Sequence, residues 1–403
     1  MEARLRTPLL VLFAVGLALS ITLAETVLAV LVVRWVVRLA RGRVRPAARW
    51  PLGWPFLAFA AVSLAAAAAS ARPGESLLTA AKGFALVPTF YVLVDALPDG
   101  AAARRFFGLL ATLLAGVATV GIAQVAFCGG LAPLAPYVGR VATKCHRAHG
   151  FYSIYMTLAG VLNLALLAGL PALLPAGERG APARPAGRAP IVLWLLTAIG
   201  FALTYVRGAW VGFFAGVGVL LALLRRGRVV LGAGFLVLVI ALLLVPGVRR
   251  RAESIADPAD PTAYDRVLMW KSGAAMARDH WLLGVGPGQV KHVLPAYAQP
   301  EAKSKSRSHL HNTPLQILVE RGVTGLVAWA AIFVVFFLRC RRMLAGLASG
   351  EDRRLTVGAV AAVAGFLVGG LTEYNFGDSE VALVAYVVMA LPFAAASSSQ
   401  NVA

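Results

Sequence analysis

Two histidines and an asparagine, His309, His311 and Asn312, stand immediately before a long apolar stretch of the chain. A neutral imidazole near pH 7 can accept a proton from a hydroxyl group, which is the role of a general base. The histidines are spaced i, i+2, whereas helical metal ligands are usually spaced i, i+4, and no carboxylate or cysteine completes a set. The spacing therefore argues against a metal site at these histidines. In the alternative interpretation, His311 caps the following helix or bonds to its backbone.

Two arginines are candidates for binding an anionic group, and one lysine is a functional candidate on other grounds. The planar guanidinium groups of Arg207 and Arg266 can bind phosphate oxygens through paired hydrogen bonds and keep their charge at any working pH. The alternative for each is a simple cation at the membrane edge. Lys82 lies inside an apolar run, where an ionisable group is costly and is by default a functional candidate, unless it snorkels to the surface. Acidic residues near the C-terminal end, among them Glu373, either orient an arginine or stay solvated.

These groups must be positioned by membrane-embedded helices, because the composition excludes an ordinary soluble domain. Of 403 residues, 59% are hydrophobic and 14% are charged, and the mean hydropathy is +0.77. Uncharged runs at 229–245, 355–371 and 381–396 have about the length that crosses a ~30 Å hydrocarbon core. The formal charge of +20 is spread over short loops and not gathered on one face, which excludes nucleic acid as a partner.

The apolar runs predict an all-α integral membrane protein with about twelve transmembrane helices and one large external loop that contains short helices. The predicted helices are 8–22, 24–40, 54–71, 76–97, 106–127, 151–174, 190–206, 209–224, 229–247, 313–338, 355–371 and 381–396. If 8–40 is one tilted helix, the count is eleven. The chain then divides into helices 1–9 at 1–247, a loop domain at 248–312, and helices 10–12 at 313–403. A glycine-rich stretch at 281–288 predicts a tight turn, because it lacks the context of a nucleotide-binding loop.

The orientation follows from the basic residues of the short loops. One set of loops carries 21 Lys and Arg residues and the opposite set carries five, so the first set is predicted to be cytoplasmic. Both termini are then inside, and the loop domain is outside. All six histidines fall in external segments. Cys128 and Cys145 share one external segment and either form a disulfide or stay reduced, while Cys340 is expected to be a bystander.

His311 and Asn312 are followed after nine residues by Gly322-Val323-Thr324-Gly325, which resembles the signature of the O-antigen ligases. These are bacterial inner-membrane enzymes of the O-antigen ligase and polymerase superfamily. Three further motifs are similar to that superfamily, and the likeness spans about 147–325. They are Arg207-Gly208-Ala209-Trp210, Arg266 followed by Met269-Trp270, and the stretch 280–288.

The resemblance implies an inverting glycosyltransferase with its active site at the periplasmic face of the inner membrane. Such an enzyme moves a glycan from undecaprenyl pyrophosphate to the core sugar of lipid A, without a metal or another cofactor. His311 would be the general base, and Arg207 and Arg266 would bind the pyrophosphate. Supporting candidates are Lys82, Arg147, His309 and Asn312. The implied partners are the lipid-linked donor, the lipid A core acceptor and membrane lipids.

The sequence alone leaves three alternative functions to consider. An O-antigen or exopolysaccharide polymerase uses the same donor with a second lipid-linked glycan, although the nine-residue spacing favours a ligase. A protein O-glycosyltransferase is disfavoured, because such relatives usually carry a sizeable C-terminal soluble domain. A polytopic transporter is the remote alternative, since transporters tend to have broken helices and polar sites at the membrane midplane.

Overall fold

The computed structural model describes residues 2–45, 50–128, 145–174, 187–224, 228–254, 260–347 and 350–396. The regular structure of these residues is helical, with sixteen α-helices and three short 3₁₀ turns. The helices are α1 Glu2–Leu19, α2 Ile21–Ala40, α3 Gly53–Ala68, α4 Pro73–Phe84, α5 Pro88–Ala96, α6 Gly100–Ala126, α7 Tyr155–Gly169, α8 Arg188–Ala202, α9 Arg207–Leu223, α10 Arg228–Leu243, α11 Pro246–Glu253, α12 Pro261–Asp279, α13 Val290–Val293, α14 Thr313–Gly346, α15 Glu351–Gly369 and α16 Ser379–Ala396. The 3₁₀ turns are Leu170–Leu173, Leu294–Ala296 and Asn375–Gly377.

Several of these helices can cross a membrane, which makes the chain a multi-pass membrane protein. Five segments of the described chain are long and apolar enough, and a sixth is formed if the pair Leu231–Leu243 and Pro246–Glu253, bent by 102°, counts as one span. The five are Pro73–Ala96, Gly100–Ala126, Tyr155–Leu173, Thr313–Gly346 and Ser379–Ala396. Each of the twelve predicted helices overlaps an observed helix, but twelve crossings stay a prediction. Some loop cations behind the predicted orientation lie outside the described residues: Arg49, Arg140, Lys144, Arg179, Arg184, Arg225 and Arg226.

Two predicted helix boundaries are decided by local chemistry. The segment 8–40 is two helices, because Ser20 between them is extended (φ −160°) and its side chain accepts the N–H of Leu23 at 3.4 Å. The segment predicted at 76–97 matches one candidate membrane span, Pro73–Ala96, but its helix is interrupted within the span, because α4 ends at Phe84 and α5 begins at Pro88. Proline has no N–H to donate, and its ring clashes with the carbonyl four residues earlier, so the helix is interrupted there.

The centre of the bundle is formed by α7, α15 and α16. In the membrane-spanning windows of α16 and α7, 83% and 72% of the residues are buried inside the protein. Glycines bring α15 close to α9, because a Cβ on Gly212 would overlap the carbonyl of Gly365, and one on Gly216 would lie 2.9 Å from the carbonyl of Ala361. The two helices run antiparallel, so the start of α9 meets the loop after α15. This arrangement sets the position of Arg207.

A second, smaller apolar cluster joins α12 to the start of α14 and includes Met276 and Leu310. Next to this cluster the glycine-rich stretch 281–288 turns tightly. Its φ is positive at Gly284, Gly286 and Gly288, which confirms the predicted turn. This turn packs into a kink of α14 at Gly322, where φ is +65°. A Cβ on Gly322 would overlap the backbone of residue 282, so the packing requires glycine.

Candidate functional site

His311 occupies an unusual backbone position directly before α14. Its φ is +49°, in the left-handed region, where a residue with a Cβ is disfavoured by about 1–2 kcal/mol. Asn312 is the residue that caps the helix, since its Oδ1 accepts the N–H of Leu315 at 2.9 Å. The alternative in which His311 caps α14 is therefore wrong. A strained backbone at a polar site points to function, because packing alone seldom requires it.

Glu373 connects His311 to Arg266. Its Oε2 lies 3.1 Å from Nδ1 of His311, and its Oε1 lies 2.5 Å from an Nη of Arg266. The three side chains are 13–18% exposed. A carboxylate only accepts hydrogen bonds, so it assigns the ring proton to Nδ1 and leaves Nε2 as the basic nitrogen. The same carboxylate would stabilise the imidazolium that forms when Nε2 takes a proton.

The loop that carries Glu373 is tied to the start of α14. The N–H of Thr313 donates to the carbonyl of Gly370 at 2.7 Å, and its hydroxyl donates to the carbonyl of Glu373 at 2.9 Å. Both bonds fall within two residues of His311. The distance between the imidazole and the carboxylate is thus fixed by backbone contacts as well as by the side chains.

Arg207 lies at the N-terminal end of α9 in a cluster of opposite charges. Its Nη2 donates to Asp260 at 2.8 Å, and its Nη1 donates to the carbonyl of Ser254 at 2.5 Å. Arg251 lies 3.9 Å from the other oxygen of Asp260, and its Nε donates to the carbonyl of Tyr205 at 3.3 Å. The Arg207 hydrogen bond, helped by backbone N–H groups of α12, lowers the pKa of Asp260 to about 2.

The start of α9, which carries Arg207, packs against the loop that carries Glu373. Gly208, next to Arg207, packs against Thr372, and a Cβ added to it would lie 3.8 Å from Cγ of Glu373. Glu373 therefore contacts the His311 segment and lies close to the start of α9. His311, Arg207 and Arg266 come from different parts of the chain, and two of them, His311 and Arg266, contact Glu373 directly.

His309 packs against His311 in an edge-to-face contact with ring centroids 4.3 Å apart, and its ring lies 5.9 Å from that of Tyr374. Burial lowers the pKa of His309 to about 4, so the ring is neutral at physiological pH. Its Nδ1 is buried and makes no hydrogen bond within the described residues. A neutral ring at this distance shapes the pocket of His311 without adding charge to it.

The remaining sequence candidates lie further away. Lys82 is exposed in the last turn of α4, and no hydrogen bond or ion pair joins it to His311 or the arginines in the part of the chain that the structure describes. Arg147 stacks on the ring of Tyr155 at 4.4 Å. Its charge also acts on the Tyr205 hydroxyl, which brings it towards the Arg207 cluster.

Cys128 and Cys145 form a disulfide two residues before Arg147, which settles the open alternative for this pair. Cys340 is a buried free thiol in α14. Across the described ranges, no group of three or more His, Cys, Asp or Glu residues is arranged to hold a metal ion. The absence of a cofactor from the chemistry stays a prediction.

An apolar cavity of about 100 Å³ lies between α8, α9, α10 and α11. Its lining includes Phe201, Trp210, Phe213, Phe235 and Val248. Ala252 also lines it, and this residue directly follows Arg251 in the chain. Through Val248 and Ala252 the cavity reaches α11, the helix that carries Arg251.

Sequence reasoning missed Arg251 and Asp260 and left the role of Glu373 open. The run Arg249–Arg251 shortly before Asp260 was a usable signal, because a basic run close to an acidic residue suggests an ion pair. The link from Glu373 to His311 spans 62 residues, and only the acidic character of its loop pointed to it.

Residues 191–330 match the family model described as O-antigen ligase. The matched region contains Arg207, Arg251, Arg266 and His311, together with the kink at Gly322. No curated protein matches the chain.

Proposed function

The match over residues 191–330 supports membership of this chain in the O-antigen ligase family, and on that basis we propose that it transfers a glycan from undecaprenyl pyrophosphate to the core sugar of lipid A. The observation that carries the proposal is the link from His311 through Glu373 to Arg266, beside the Arg207 cluster. This link joins a general base to phosphate-binding groups at the end of a membrane bundle.

The proposed reaction begins at His311. Nε2 of the imidazole removes the proton from an acceptor hydroxyl as that oxygen attacks the anomeric carbon of the donor sugar. The bond from the anomeric carbon to the pyrophosphate oxygen breaks on the opposite face, so the configuration is inverted. Glu373 accepts the hydrogen bond of Nδ1–H and stabilises the imidazolium.

Arg207 and Arg266 are proposed to bind the pyrophosphate and to stabilise the charge that grows on it as it leaves. Each arginine already has a carboxylate partner, Asp260 or Glu373, which fixes the direction of its guanidinium group. Arg251 adds a third cation next to Asp260. A dianionic or trianionic pyrophosphate suits such a group of cations, and their charges are retained at all working pH values.

The apolar cavity lined in part by α11 supports a lipid-linked donor. A prenyl chain is apolar along its length, and its pyrophosphate must stay in a polar environment. Val248 and Ala252 of α11 line the cavity, and Arg251 of the same helix lies next to Asp260, the partner of Arg207. An isoprenoid segment in the cavity would bring the pyrophosphate to Arg207 and Arg251.

The disulfide supports a periplasmic location for this end of the bundle, because such bonds persist in oxidising compartments. The excess of basic residues in the opposite loops supports the same orientation. We therefore propose an inner-membrane protein whose active site faces the periplasm, with the segment 248–312 as its periplasmic loop domain between the helices of 1–247 and 313–403.

Reconstitution tests the proposal. Purified protein in vesicles receives a lipid-linked glycan and a lipid A core acceptor, in buffer that contains chelator and no nucleotide. We expect a glycosylated lipid A core from the wild-type protein and none from H311A, with both proteins folded and inserted. Elongated lipid-linked glycan without transfer to the core would instead identify a polymerase. Turnover by H311A would contradict the assignment of the base.

A further inference from the structure

The backbone of His311 needs support from its neighbours, because left-handed φ is seldom adopted by a residue with a Cβ. Leu310, immediately before it, is fully buried, and both of its peptide groups are bonded to side chains. Its N–H donates to Oε1 of Gln316 at 2.9 Å, and its carbonyl accepts from Nε1 of Trp270 at 3.0 Å. These two bonds fix the peptide from which His311 projects.

Gln316 connects this peptide to a buried ion pair. Its Nε2 donates to Oε1 of Glu320 at 2.7 Å, one turn further along α14. The same oxygen accepts the N–H of Gly288 at 3.0 Å, and Oε2 pairs with Arg321 at 2.6 Å. Arg321 also donates to the hydroxyl of Ser63 in α3 at 2.9 Å. The four side chains of this chain of bonds are buried.

The carboxylate determines which way the glutamine amide faces. Because an ionised carboxylate only accepts hydrogen bonds, Gln316 must turn its NH₂ group to Glu320 and its carbonyl to Leu310. A flipped amide would set two acceptors against each other on one side and two donors on the other, inside a buried site. Glu320 therefore acts on Leu310 through Gln316, although it does not contact the histidine segment itself.

We propose that Gln316 and Glu320 are positioning residues for His311, holding its backbone in the left-handed conformation from which the imidazole reaches the acceptor hydroxyl. This inference rests on the proposed function, in which His311 is the base. A displacement of a catalytic group by about 1 Å costs on the order of 100-fold in rate, so loss of this support acts on turnover more than on donor binding.

A swap of the two side chains tests the proposal. Q316E and E320Q each preserve side-chain volume, but the first sets two carboxylates against each other and the second removes the charge that pairs with Arg321. The double variant Q316E/E320Q restores a carboxylate–amide pair between positions 316 and 320 and keeps an acceptor for the N–H of Leu310, but the N–H of Gly288 and the guanidinium of Arg321 no longer meet a carboxylate. We expect kcat to fall at least ~30-fold in each single variant, with the donor KM within about twofold, and to rise about tenfold above the Q316E value in the double variant.

The Q289L variant is the control for the effect of changing a buried amide. It removes an amide whose Nε2 has no hydrogen-bond partner among the described residues. We expect wild-type kcat from this variant. Should a single variant fail to fold, Q316M replaces it, since methionine preserves the volume and removes both bonds; the same fall in kcat is expected.

Hydrogen–deuterium exchange over residues 308–313 gives a readout that does not depend on catalysis. Exchange should be faster than wild type in the single variants, and slower in the double variant than in Q316E. A kcat in the double variant no higher than in Q316E, or a lowered kcat with unchanged exchange, would overturn the proposal. Absence of transfer by the wild-type protein would count against the proposed function alone, because the exchange measurement still tests the bond to Leu310.

Discussion

Oε2 of Glu373 lies 3.1 Å from Nδ1 of His311, although the two residues are 62 positions apart in the chain. The other carboxylate oxygen contacts Arg266 at 2.5 Å. One side chain thus sets the tautomer of His311, the proposed base, and the direction of Arg266, which we propose binds the pyrophosphate. Changes at Glu373 should affect both functions, and they should do so without changing the membrane helices.

The E373Q variant preserves the shape of this side chain and removes its charge. We expect kcat to fall ~10²–10³-fold, because an amide neither stabilises the imidazolium nor assigns the proton to Nδ1. Steady-state transfer from a lipid-linked donor measures the effect. The matched control is E301Q, an exposed carboxylate in the loop before His309, which should retain the wild-type rate. Equal losses in both variants would contradict the role of Glu373.

The R266K variant keeps the positive charge but loses the planar fork. We expect kcat/KM for the donor to fall ~10²-fold, since a point charge cannot replace paired hydrogen bonds to the departing pyrophosphate. R278K, at an exposed position of the same helix, is the control and should leave kcat/KM unchanged. Wild-type kinetics in R266K would argue against bidentate binding.

Asp260 should make the stability of the protein depend on pH in the acid range. Its folded pKa of about 2 lies below the ordinary value of about 3.9, so its contribution is complete above about pH 5 and is lost as the pH falls towards 2. We expect D260N to melt at a lower temperature than wild type at pH 6, with the difference closing below pH 3. Thermal unfolding in detergent measures this. A difference that is constant with pH would rule out the charge as its cause.

The G322A variant tests the kink of α14. A methyl group at this position meets the backbone of residue 282, and φ of +65° is unfavourable for alanine, so we expect a loss of about 2–4 kcal/mol in stability. G346A is the control, because it lies in the same helix with open space around its Cα. Comparable melting temperatures for the two variants would show that the turn at 281–288 tolerates displacement.

The sequence predicted those residues of the candidate site that stand in short motifs. His311, Arg207 and Arg266 each stand in a recognisable local pattern, and the helices around them follow from uncharged runs. Long-range partners gave no such pattern: Asp260 meets Arg207 across 53 residues, and Arg321 meets Ser63 across 258. Such pairs depend on how the helices pack, which hydropathy does not encode.

Hydropathy also failed to locate the interruption between α4 and α5, because the segment is apolar on both sides of Pro88. A proline contributes the same hydropathy whether it begins a helix or interrupts one. Only the backbone around it distinguishes the two cases. Lys82 was predicted to be a functional residue because a charge inside an apolar run is energetically costly. In the structure Lys82 is exposed near the end of α4. Within α4 only Ser76 and Ala80 are buried, so Lys82 lies on a helix that is exposed over most of its length.

The glycine contacts between α9 and α15 prevent these helices from sliding past each other. A slide by one turn moves a helix about 5.4 Å along its axis and would carry Arg207 away from the Glu373 loop. Membranes of different thickness are accommodated largely by helix tilt, and an interlocked pair tilts as a unit. The spacing of the charged groups should therefore be insensitive to lipid chain length, whereas the depth at which a substrate headgroup meets them is not.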